Sequence, residues 1–238
     1  MKETNKDHGI SIVACTNKIR YMDNIFSNYE NQILQEKELI IVLNNDSLDI
    51  NEWKKKAEGY DHVRVYQLPE ETTLGSCLNF GRNQAKLKYV AKWDDDDYYG
   101  SAYLYEALKS FEHTKADIVG KRTGFMYFPK AKELRLRFPG HESKRVRIVF
   151  GGTIIAKKIV MEEVPFLDVS LGEDATFLKN ARAKGYRIFS TSRYNYTYFR
   201  WGSSEHTWKP TSKYLKSTSR HIRFIDDFRS IVDKEILE

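Results

Sequence analysis

The sequence has little cysteine, little proline and no long apolar run. Its two cysteines, Cys15 and Cys77, are too few for a disulfide framework, and no pair of zinc ligands flanks either of them. The longest strongly apolar run covers residues 39–43, whereas a helix that spans a bilayer needs roughly 18–20 apolar residues. The chain begins with polar residues and lacks the apolar core of a signal peptide. We therefore expect a soluble, unexported protein in a reducing, cytoplasmic compartment.

The composition limits the class of protein. With 41% hydrophobic residues, 13 glycines and 5 prolines in 238 residues, the chain is neither collagen-like nor of low complexity nor disordered. The formal net charge of +6 favours an anionic partner, which leaves nucleic acid, a phosphorylated small molecule and an acidic membrane surface as alternatives. The basic residues are dispersed and match no known nucleic-acid motif. We therefore do not expect a specific nucleic-acid partner, and peripheral association with a membrane stays open.

The first half of the chain alternates apolar strands with helical patterns, which is typical of βαβ units on a parallel sheet. A 3.6-residue period predicts helices between the strands, and the first of these helices carries apolar residues from Ile25 to Leu34. The predicted strands cover residues 10–15, 39–43, 63–66 and 89–93.

The pattern changes near residue 121. Residues 134–138 and 145–150 alternate apolar and basic side chains, which predicts antiparallel or edge strands added to the parallel half. A helix is predicted over residues 173–184, and Gly185 is placed to end it. The sequence therefore predicts an α/β fold with a central, mainly parallel sheet, flanking helices and added antiparallel strands.

The end of the chain, residues 209–238, is predicted as an amphipathic helical segment that packs back on the rest. Its apolar residues recur at helical spacing. The sequence contains no internal repeat, no linker and no boundary of a second domain. We therefore expect a single domain over residues 1–238. The apolar residues of this last segment are Ile222, Ile225, Phe228, Val232 and Ile236.

Four consecutive aspartates, Asp94 to Asp97, directly follow the strand predicted over residues 89–93. One interpretation is a solvated turn, because adjacent like charges repel and are costly to bury unpaired. The other is a ligand site, because open α/β sheets bind ligands at the carboxyl ends of their strands. Mg²⁺ and Mn²⁺ prefer oxygen ligands, and Mg²⁺ typically takes one or two protein carboxylates together with water and phosphate oxygens. The sequence therefore supports a site for a metal and a phosphate group.

Further motifs occur in a fixed order around the aspartates. The strand over residues 39–43 ends in Asn44-Asn45-Asp46-Ser47, and Gly75-x-x-x-Asn79-x-Gly81-Arg82-Asn83 follows. About 80 residues after the aspartates, Gly172-Glu173-Asp174 opens a helix. Together these motifs resemble the family 2 glycosyltransferases of the GT-A fold, over roughly residues 8–208. The resemblance implies a nucleotide-sugar-binding half over about 8–100 and an acceptor-binding, catalytic half over about 101–208.

The resemblance assigns roles to the aspartates. Asp94 is the first acid of the family's Asp-x-Asp motif, near the ribose or the metal, and Asp96 is the principal ligand of Mn²⁺ or Mg²⁺ at the diphosphate. Asp95 occupies the variable middle position of the nucleotide-sugar site. Asp97 matches a fourth position that is frequently acidic.

The same resemblance predicts the rest of the donor site. The family's contacts to the base and ribose fall on Thr16 and Asn17 after the first strand, and on Asn44 or Asn45 after the second, where the family usually has aspartate. This departure leaves uridine or another base open. The helix motif adds Gly75 and Arg82, and Arg82 is expected to meet the diphosphate.

Asp174 matches the catalytic base of the family, with Glu173 beside it. Such a carboxylate deprotonates an acceptor hydroxyl while a metal stabilises the leaving diphosphate, and direct displacement inverts the anomeric centre. The alternative is that both acids simply complement the helix macrodipole.

Arg200 and His206 form a second candidate group. They resemble a segment that closes over the diphosphate in some members of the family, since arginine suits phosphate and a neutral imidazole can bind Mn²⁺. The alternative is that His206 is a surface residue and Arg200 an ion-pair partner.

A basic stretch lies in the second half of the chain. Its basic side chains alternate with apolar ones, which favours the solvated face of an edge strand. A surface for an anionic acceptor, such as a phosphate-containing polymer, is the functional alternative. The stretch contains Arg135, Arg137, Lys144, Arg145 and Arg147.

The resemblance predicts an inverting, metal-dependent glycosyltransferase of the hexosyltransferase type. The expected donor is a UDP-sugar, and the acceptor is a glycan, a polyol phosphate or a protein, in cell-surface or polysaccharide biosynthesis. The alternative function is a catalytically inactive module of the same fold that binds a nucleotide or glycan. The asparagines at 44 and 45 are the best support for that alternative.

Overall fold

The computed structural model describes residues 8–201 and 208–235. The strands in chain order are β1 (Ile10–Thr16), β2 (Lys37–Leu43), β3 (Val63–Gln67), β4 (Tyr89–Asp94), β5 (Tyr98–Tyr99), β6 (Ile118–Gly120), β7 (Gly124–Phe128), β8 (Glu133–Arg137), β9 (Lys144–Val146), β10 (Ile155–Lys157), β11 (Ile188–Ser190), β12 (Tyr196–Phe199) and β13 (Ser219–Phe224). The helices are α1 (Met22–Glu30), α2 (Ile50–Ala57), α3 (Leu74–Gln84), α4 (Tyr103–His113), α5 (Lys158–Glu163), α6 (Glu173–Ala183), α7 (Ser212–Ser217) and α8 (Arg229–Val232).

The first sheet has eight strands in the order β3-β2-β1-β4-β10-β6-β11-β9. Strands β1 to β4 are parallel, β10 runs antiparallel to β4 and β6, and β9 forms an antiparallel edge. The chain leaves β1 towards β2 and β3 and then returns to β4 on the other side of β1. The carboxyl ends of β1 and β4 therefore form a topological switch point, where sheets of this type bind ligands.

The second sheet has five strands in the order β13-β8-β7-β12-β5. Its short strand β5 directly follows the aspartates, and β12 pairs with β5 through Tyr196 and Tyr99. The second sheet therefore adjoins the carboxyl end of β4.

Both faces of the first sheet are covered, which explains why its central strands are apolar throughout. Residues of α1, α2 and α4 pack on one face. Residues of α3, α5 and α6 pack on the other, and α3 lies so close to β1 that a Cβ at Gly81 would be 2.3 Å from Val13 Cγ1. Thr73 caps α3, because its Oγ1 accepts a hydrogen bond from the Ser76 amide at 3.2 Å.

The predicted mixed α/β architecture is confirmed. In the parallel half, each observed end of the four strands is within two residues of the predicted end. The helix predicted over 173–184 is α6, and Gly185 follows it with a φ of +89°. The first helix is shorter than predicted and ends at Glu30, and Ile33 is 52% exposed. The Gln32 side chain donates to the carbonyls of Tyr99 at 3.2 Å and Gly100 at 2.9 Å, which ties the segment after the helix to the end of β5.

Two predictions in the second half need correction. The strand predicted over 145–150 covers only Lys144–Val146, because the Phe150 amide turns back to the Lys121 carbonyl. The segment 209–238 is not helical throughout, since residues 219–224 form β13 on the otherwise open edge of β8. Ile236 lies outside the described residues. Within residues 8–201 and 208–235, no helix is both long and apolar enough to cross a membrane.

Candidate active site

The four aspartates lie at the carboxyl end of β4, and their environments differ. Asp94 forms an ion pair with the buried Lys92, which lies two residues earlier on the same face of the strand. The Asp94 amide donates to the Tyr99 hydroxyl at 2.8 Å, and that hydroxyl donates to the Gly152 carbonyl at 2.6 Å. Asp94 is therefore fixed by both the sheet and the segment before β10.

Asp95 turns towards β1. The Thr16 hydroxyl donates to Asp95 Oδ2 at 2.5 Å, which links the ends of β1 and β4. Burial raises the pKa of Asp95 to about 7, and the neighbouring Asp96 charge acts in the same direction. Negative charge is thus concentrated here, in a place where a cation would reduce the repulsion.

Asp97 is buried and serves the fold. The Tyr196 hydroxyl donates to Asp97 Oδ2 at 2.6 Å, and the Phe199 amide donates to Oδ1 at 3.1 Å. Burial and the charge of Asp96 raise the pKa of Asp97. Both oxygens of this carboxylate therefore hold β12 against the end of β4. Asp96, between Asp95 and Asp97, is half-buried.

Asp94 and Asp174 pack against two adjacent glycines. A Cβ at Gly151 would lie 1.9 Å from Asp174 Oδ2, and a Cβ at Gly152 would lie 2.6 Å from Asp94 Oδ2. Only glycine leaves room for both carboxylates at these positions. The helix start at Asp174 and the end of β4 therefore border the same site, although they are far apart in the sequence.

Lys92 lies among the acids of this site. Burial alone would lower its pKa, but the charges of Asp94, Glu173 and Asp174 outweigh burial and raise it. Burial raises the pKa of Glu173, and the Lys92 charge opposes that rise. The ammonium group therefore balances part of the negative charge of three carboxylates.

The predicted contacts after the first two strands lie together. The backbone N–H of Asn44 donates to the Thr16 carbonyl at 3.1 Å. The side-chain Nδ2 of Asn45 donates to the Asn17 carbonyl at 3.0 Å. Asn44 Nδ2 donates to the Thr72 carbonyl at 3.3 Å. Both asparagine side chains therefore brace the loops that surround the carboxyl ends of β1 and β2.

The helix motif departs from the prediction. Gly75 has a packing role, because a Cβ there would lie 1.7 Å from the Leu167 carbonyl oxygen. Arg82 follows Gly75 by seven residues, which places it about 10 Å further along α3. Its Nη1 donates to the Met161 carbonyl at 2.7 Å. Contrary to the prediction, Arg82 points to α5, away from the aspartates.

Arg200 is 7% exposed at the end of β12. Its Nη1 donates to the Tyr198 hydroxyl at 2.9 Å, and its amide donates to the Tyr127 carbonyl. Burial raises the pKa of Tyr198, and among nearby charges Arg200 opposes this rise while Asp97 and Asp96 add to it. Arg200 directly follows Phe199, whose amide donates to Asp97. His206 lies outside the described residues.

The arrangement of carboxylates fits a divalent cation that shares its ligands with a phosphate. Asp94 and Asp96 would supply the protein oxygens, and Mg²⁺ commonly takes only one or two carboxylates. Across residues 8–201 and 208–235, no group of three or more His, Cys, Asp and Glu side chains is arranged to hold a metal by itself. A cation here would therefore depend on oxygens from a ligand.

Sequence reasoning missed several residues of this site. Lys92 sits inside an apolar strand pattern, where its position two residues before Asp94 was the only available signal. Gly151 and Gly152 are a glycine pair that directly follows a predicted strand, and Tyr99 and Tyr196 belong to none of the motifs. Their roles depend on contacts between distant parts of the chain.

The sequence profile described as "Glycosyl transferase family 2" matches residues 11–162 of this chain. The chain belongs to glycosyl transferase family 2. The matched region contains the four aspartates and the glycine pair, and it ends before Asp174. No curated protein sequence matches the chain.

Solved structures of glycosyltransferases share the fold. Residues 1–349 of TarS from S. aureus give a TM-score of 0.67 at 18% identity, covering 80% of this chain and 60% of that one. The same protein in complex with UDP-GlcNAc gives 0.64 at 18% identity, with coverages of 82% and 59%.

The mannosyltransferase PcManGT from Pyrobaculum calidifontis, in complex with GDP-Man and Mn²⁺, gives a TM-score of 0.64 at 15% identity. The match covers 83% of this chain and 58% of that one. The chain spans about 60% of the length of each of these solved structures. The predicted family and GT-A fold are confirmed.

Proposed function

We propose that the chain is an inverting glycosyltransferase that moves a sugar from a nucleoside diphosphate, with UDP as the expected nucleotide, to an acceptor hydroxyl. The observation that carries this proposal is the packing of Asp174 against Gly151 and of Asp94 against the adjacent Gly152. It brings the acids suited to a metal and diphosphate next to a half-buried carboxylate suited to act as a base.

In the proposed reaction, Asp174 accepts the proton of the acceptor hydroxyl. The acceptor oxygen forms a bond to the anomeric carbon, the bond from that carbon to the diphosphate breaks, and the nucleoside diphosphate leaves. Asp94 and Asp96 would hold Mn²⁺ or Mg²⁺, which supplies positive charge for the leaving group. Lys92 keeps Asp94 in place and lies close enough to Asp174 to limit the repulsion between the two acids.

We propose that residues 8–100 bind the donor and residues 101–208 bind the acceptor within one domain. Thr16, Asn17, Asn44 and Asn45 border the donor side, where their contacts hold the loops after β1 and β2. Solved relatives in complexes with UDP-GlcNAc and with GDP-Man support a nucleotide-sugar donor. A cytoplasmic location and an acceptor that is a glycan, polyol phosphate or protein complete the proposal.

Hydrolysis and binding of nucleotide sugars test this function. Wild-type protein with Mn²⁺ is incubated with UDP-GlcNAc, UDP-glucose and GDP-mannose, and release of the nucleotide is measured. The variant Asp174→Asn is expected to lose at least 100-fold in turnover and to keep its Kd for UDP with Mn²⁺, because the base does not contact the nucleotide. Asp61→Asn, at an exposed position outside all of the motifs, is the matched control. Equal turnover in wild type and Asp174→Asn would remove Asp174 from the mechanism.

The alternative is a binding module without catalysis. It is favoured by Asn44 and Asn45, whose side-chain donors are used on backbone carbonyls of the protein. Wild-type protein that binds UDP with Mn²⁺ but releases no nucleotide from any of the sugars would support this alternative over the enzyme.

A further inference from the structure

Two arginines of the second half, Arg122 and Arg137, lie close to the same aromatic ring. The Arg122 Cζ is 3.9 Å from the centroid of the Phe138 ring, and the Arg137 Cζ is 4.8 Å from the same centroid. Arg137 is 4% exposed, whereas Arg122 is half-buried. The alternation of residues 134–138 predicts that Arg137 lies on a solvated face, and this prediction is wrong.

The guanidinium group of Arg137 has no hydrogen-bond partner among the residues that the structure describes. Its Nε is buried and makes no hydrogen bond, and within residues 8–201 and 208–235 neither guanidinium group has an ion pair or hydrogen bond with another side chain. A guanidinium carries five N–H donors, and a buried charge is costly unless it is paired. The rings around Arg137 offset only part of that cost. They belong to Phe138, Phe150, Trp208 and Tyr214.

The two positive charges also repel each other. Burial lowers the pKa of Arg137, and the charge of Arg122 acts in the same direction. Phe138, whose ring lies near both arginines, has a φ of +43°, a strained value for an aromatic residue. Its amide donates to the Thr218 carbonyl at 2.9 Å, which helps to hold this conformation. Within the described part of the chain, the fold thus holds two cations without ion-pair partners near one ring, as a preformed anion site would require.

The arginine pair adjoins the Asp174 side of the candidate active site. The Arg137 Cζ is 5.5 Å from the Phe150 ring centroid, and Phe150 directly precedes Gly151, against which Asp174 packs. In the first sheet, β4 separates this segment from the ends of β1 and β2, where the donor contacts are proposed. An anion at the arginine pair would therefore lie on the side from which the acceptor approaches.

We propose that Arg122 and Arg137 form a subsite for an oxyanion, a phosphate or carboxylate group carried by the acceptor. The placement on the acceptor rests on the proposed function, whereas the oxyanion site rests on the arginines alone. Arg137 supplies the buried donors, and Arg122 closes the site on the half-exposed side. The acceptor is then an anionic molecule whose reactive hydroxyl lies near its charged group.

Inorganic phosphate is the first probe, titrated calorimetrically into the full chain without Mn²⁺ or nucleotide. Wild type is expected to bind it saturably, and Arg122→Gln to raise the Kd at least tenfold. Arg147→Gln is the matched control, because it removes the same charge from an exposed position and should leave the Kd unchanged. Equal weakening by the two variants, or no saturable binding to wild type, would overturn the subsite.

A second variant, Arg137→Lys, keeps the proposal testable if Arg122→Gln does not fold. Arg137→Lys keeps the charge but loses the planar fork of donors. Phosphate is expected to raise the Tm of wild type and of Arg147→Gln, and to leave the Tm of Arg122→Gln and Arg137→Lys unchanged. A similar rise in all four proteins contradicts the proposal.

Competition with nucleotide shows whether the arginine pair binds an oxyanion of the acceptor or the diphosphate of the donor. Phosphate and UDP with Mn²⁺ are expected to bind together, which supports an acceptor group at the arginine pair. Displacement of phosphate by UDP would assign the arginines to the donor diphosphate and overturn the acceptor placement. Arginine-dependent phosphate binding without any binding of nucleotide would support the oxyanion site and contradict the proposed transferase function.

Discussion

The Lys92 ammonium group is buried in an ion pair with Asp94, on the face of β4 that meets the start of α6. Glu173 and Asp174 at that helix start add their charges to the same cation. One lysine therefore joins the strand that carries the aspartates to the helix that carries the proposed base.

Replacing Lys92 by methionine tests this electrostatic link between β4 and α6. Lys92→Met should lower the free energy of unfolding by about 3 kcal/mol at pH 7, because it leaves a partly buried carboxylate without its partner. Urea denaturation followed by circular dichroism measures the change. Lys55→Met, on the exposed side of α2, is the control and should change stability by less than about 0.5 kcal/mol. Similar values for the two variants would contradict the role of Lys92.

The hydrogen bond from Tyr196 to Asp97 should be a main support of the second sheet. Tyr196→Phe removes one donor from a fully buried carboxylate and should cost about 2 kcal/mol in unfolding free energy. Tyr60→Phe is a matched control, since the Tyr60 hydroxyl makes no hydrogen bond within the described parts of the chain. Urea denaturation distinguishes them, and a loss in Tyr196→Phe no larger than in Tyr60→Phe would show that Asp97 is satisfied in another way.

Gly151→Ala tests the space that Asp174 needs. The added Cβ would lie 1.9 Å from Asp174 Oδ2, so the carboxylate must move. A displacement of about 1 Å at a reacting group can cost about 100-fold in rate, and we expect a loss of that order in nucleotide-sugar turnover. The Kd for UDP with Mn²⁺ should be unchanged.

Gly59→Ala is the control for this change, because its Cβ would make only an ordinary 3.6 Å contact with the Lys56 carbonyl oxygen. Full turnover in Gly151→Ala would mean that Asp174 has another position available.

Asp117 should make stability depend on pH at the acid end. Although burial opposes it, bonds from Lys157 and the Arg187 amide lower the pKa of Asp117. A carboxylate with a lowered folded pKa stabilises the fold above its unfolded pKa of about 3.9, and this contribution is lost as the pH falls through the folded value. Asp117→Asn should therefore cost about 1–2 kcal/mol at pH 7, and the cost should shrink below about pH 4.

Urea denaturation at pH 3 to 7 measures this dependence for wild type and Asp117→Asn. The control is Asp46→Asn in an exposed loop. A cost of Asp117→Asn that stayed constant across this range would show that the carboxylate charge is not the cause.

Arg137 illustrates where sequence reasoning fails. Leu134 and Leu136 alternate with Arg135 and Arg137, and the leucines do face the core as the pattern predicts. In an isolated strand, the face that carries the two arginines would be solvated. Phe150, Trp208 and Tyr214 come from distant parts of the chain to cover Arg137, and no local period contains that information.

The sequence by itself determined the strands and helices of the parallel half, the aspartates at the end of β4 and the order of the family motifs. These features depend on local periodicity and on short spacings, which neighbouring residues carry. Only the tertiary structure decided that Asp97 supports the fold, that Arg82 points to α5, and that Asp174 and Asp94 pack against adjacent glycines. These outcomes depend on which distant segments pack together, because burial and pairing of charges arise only after the sheets and helices have assembled.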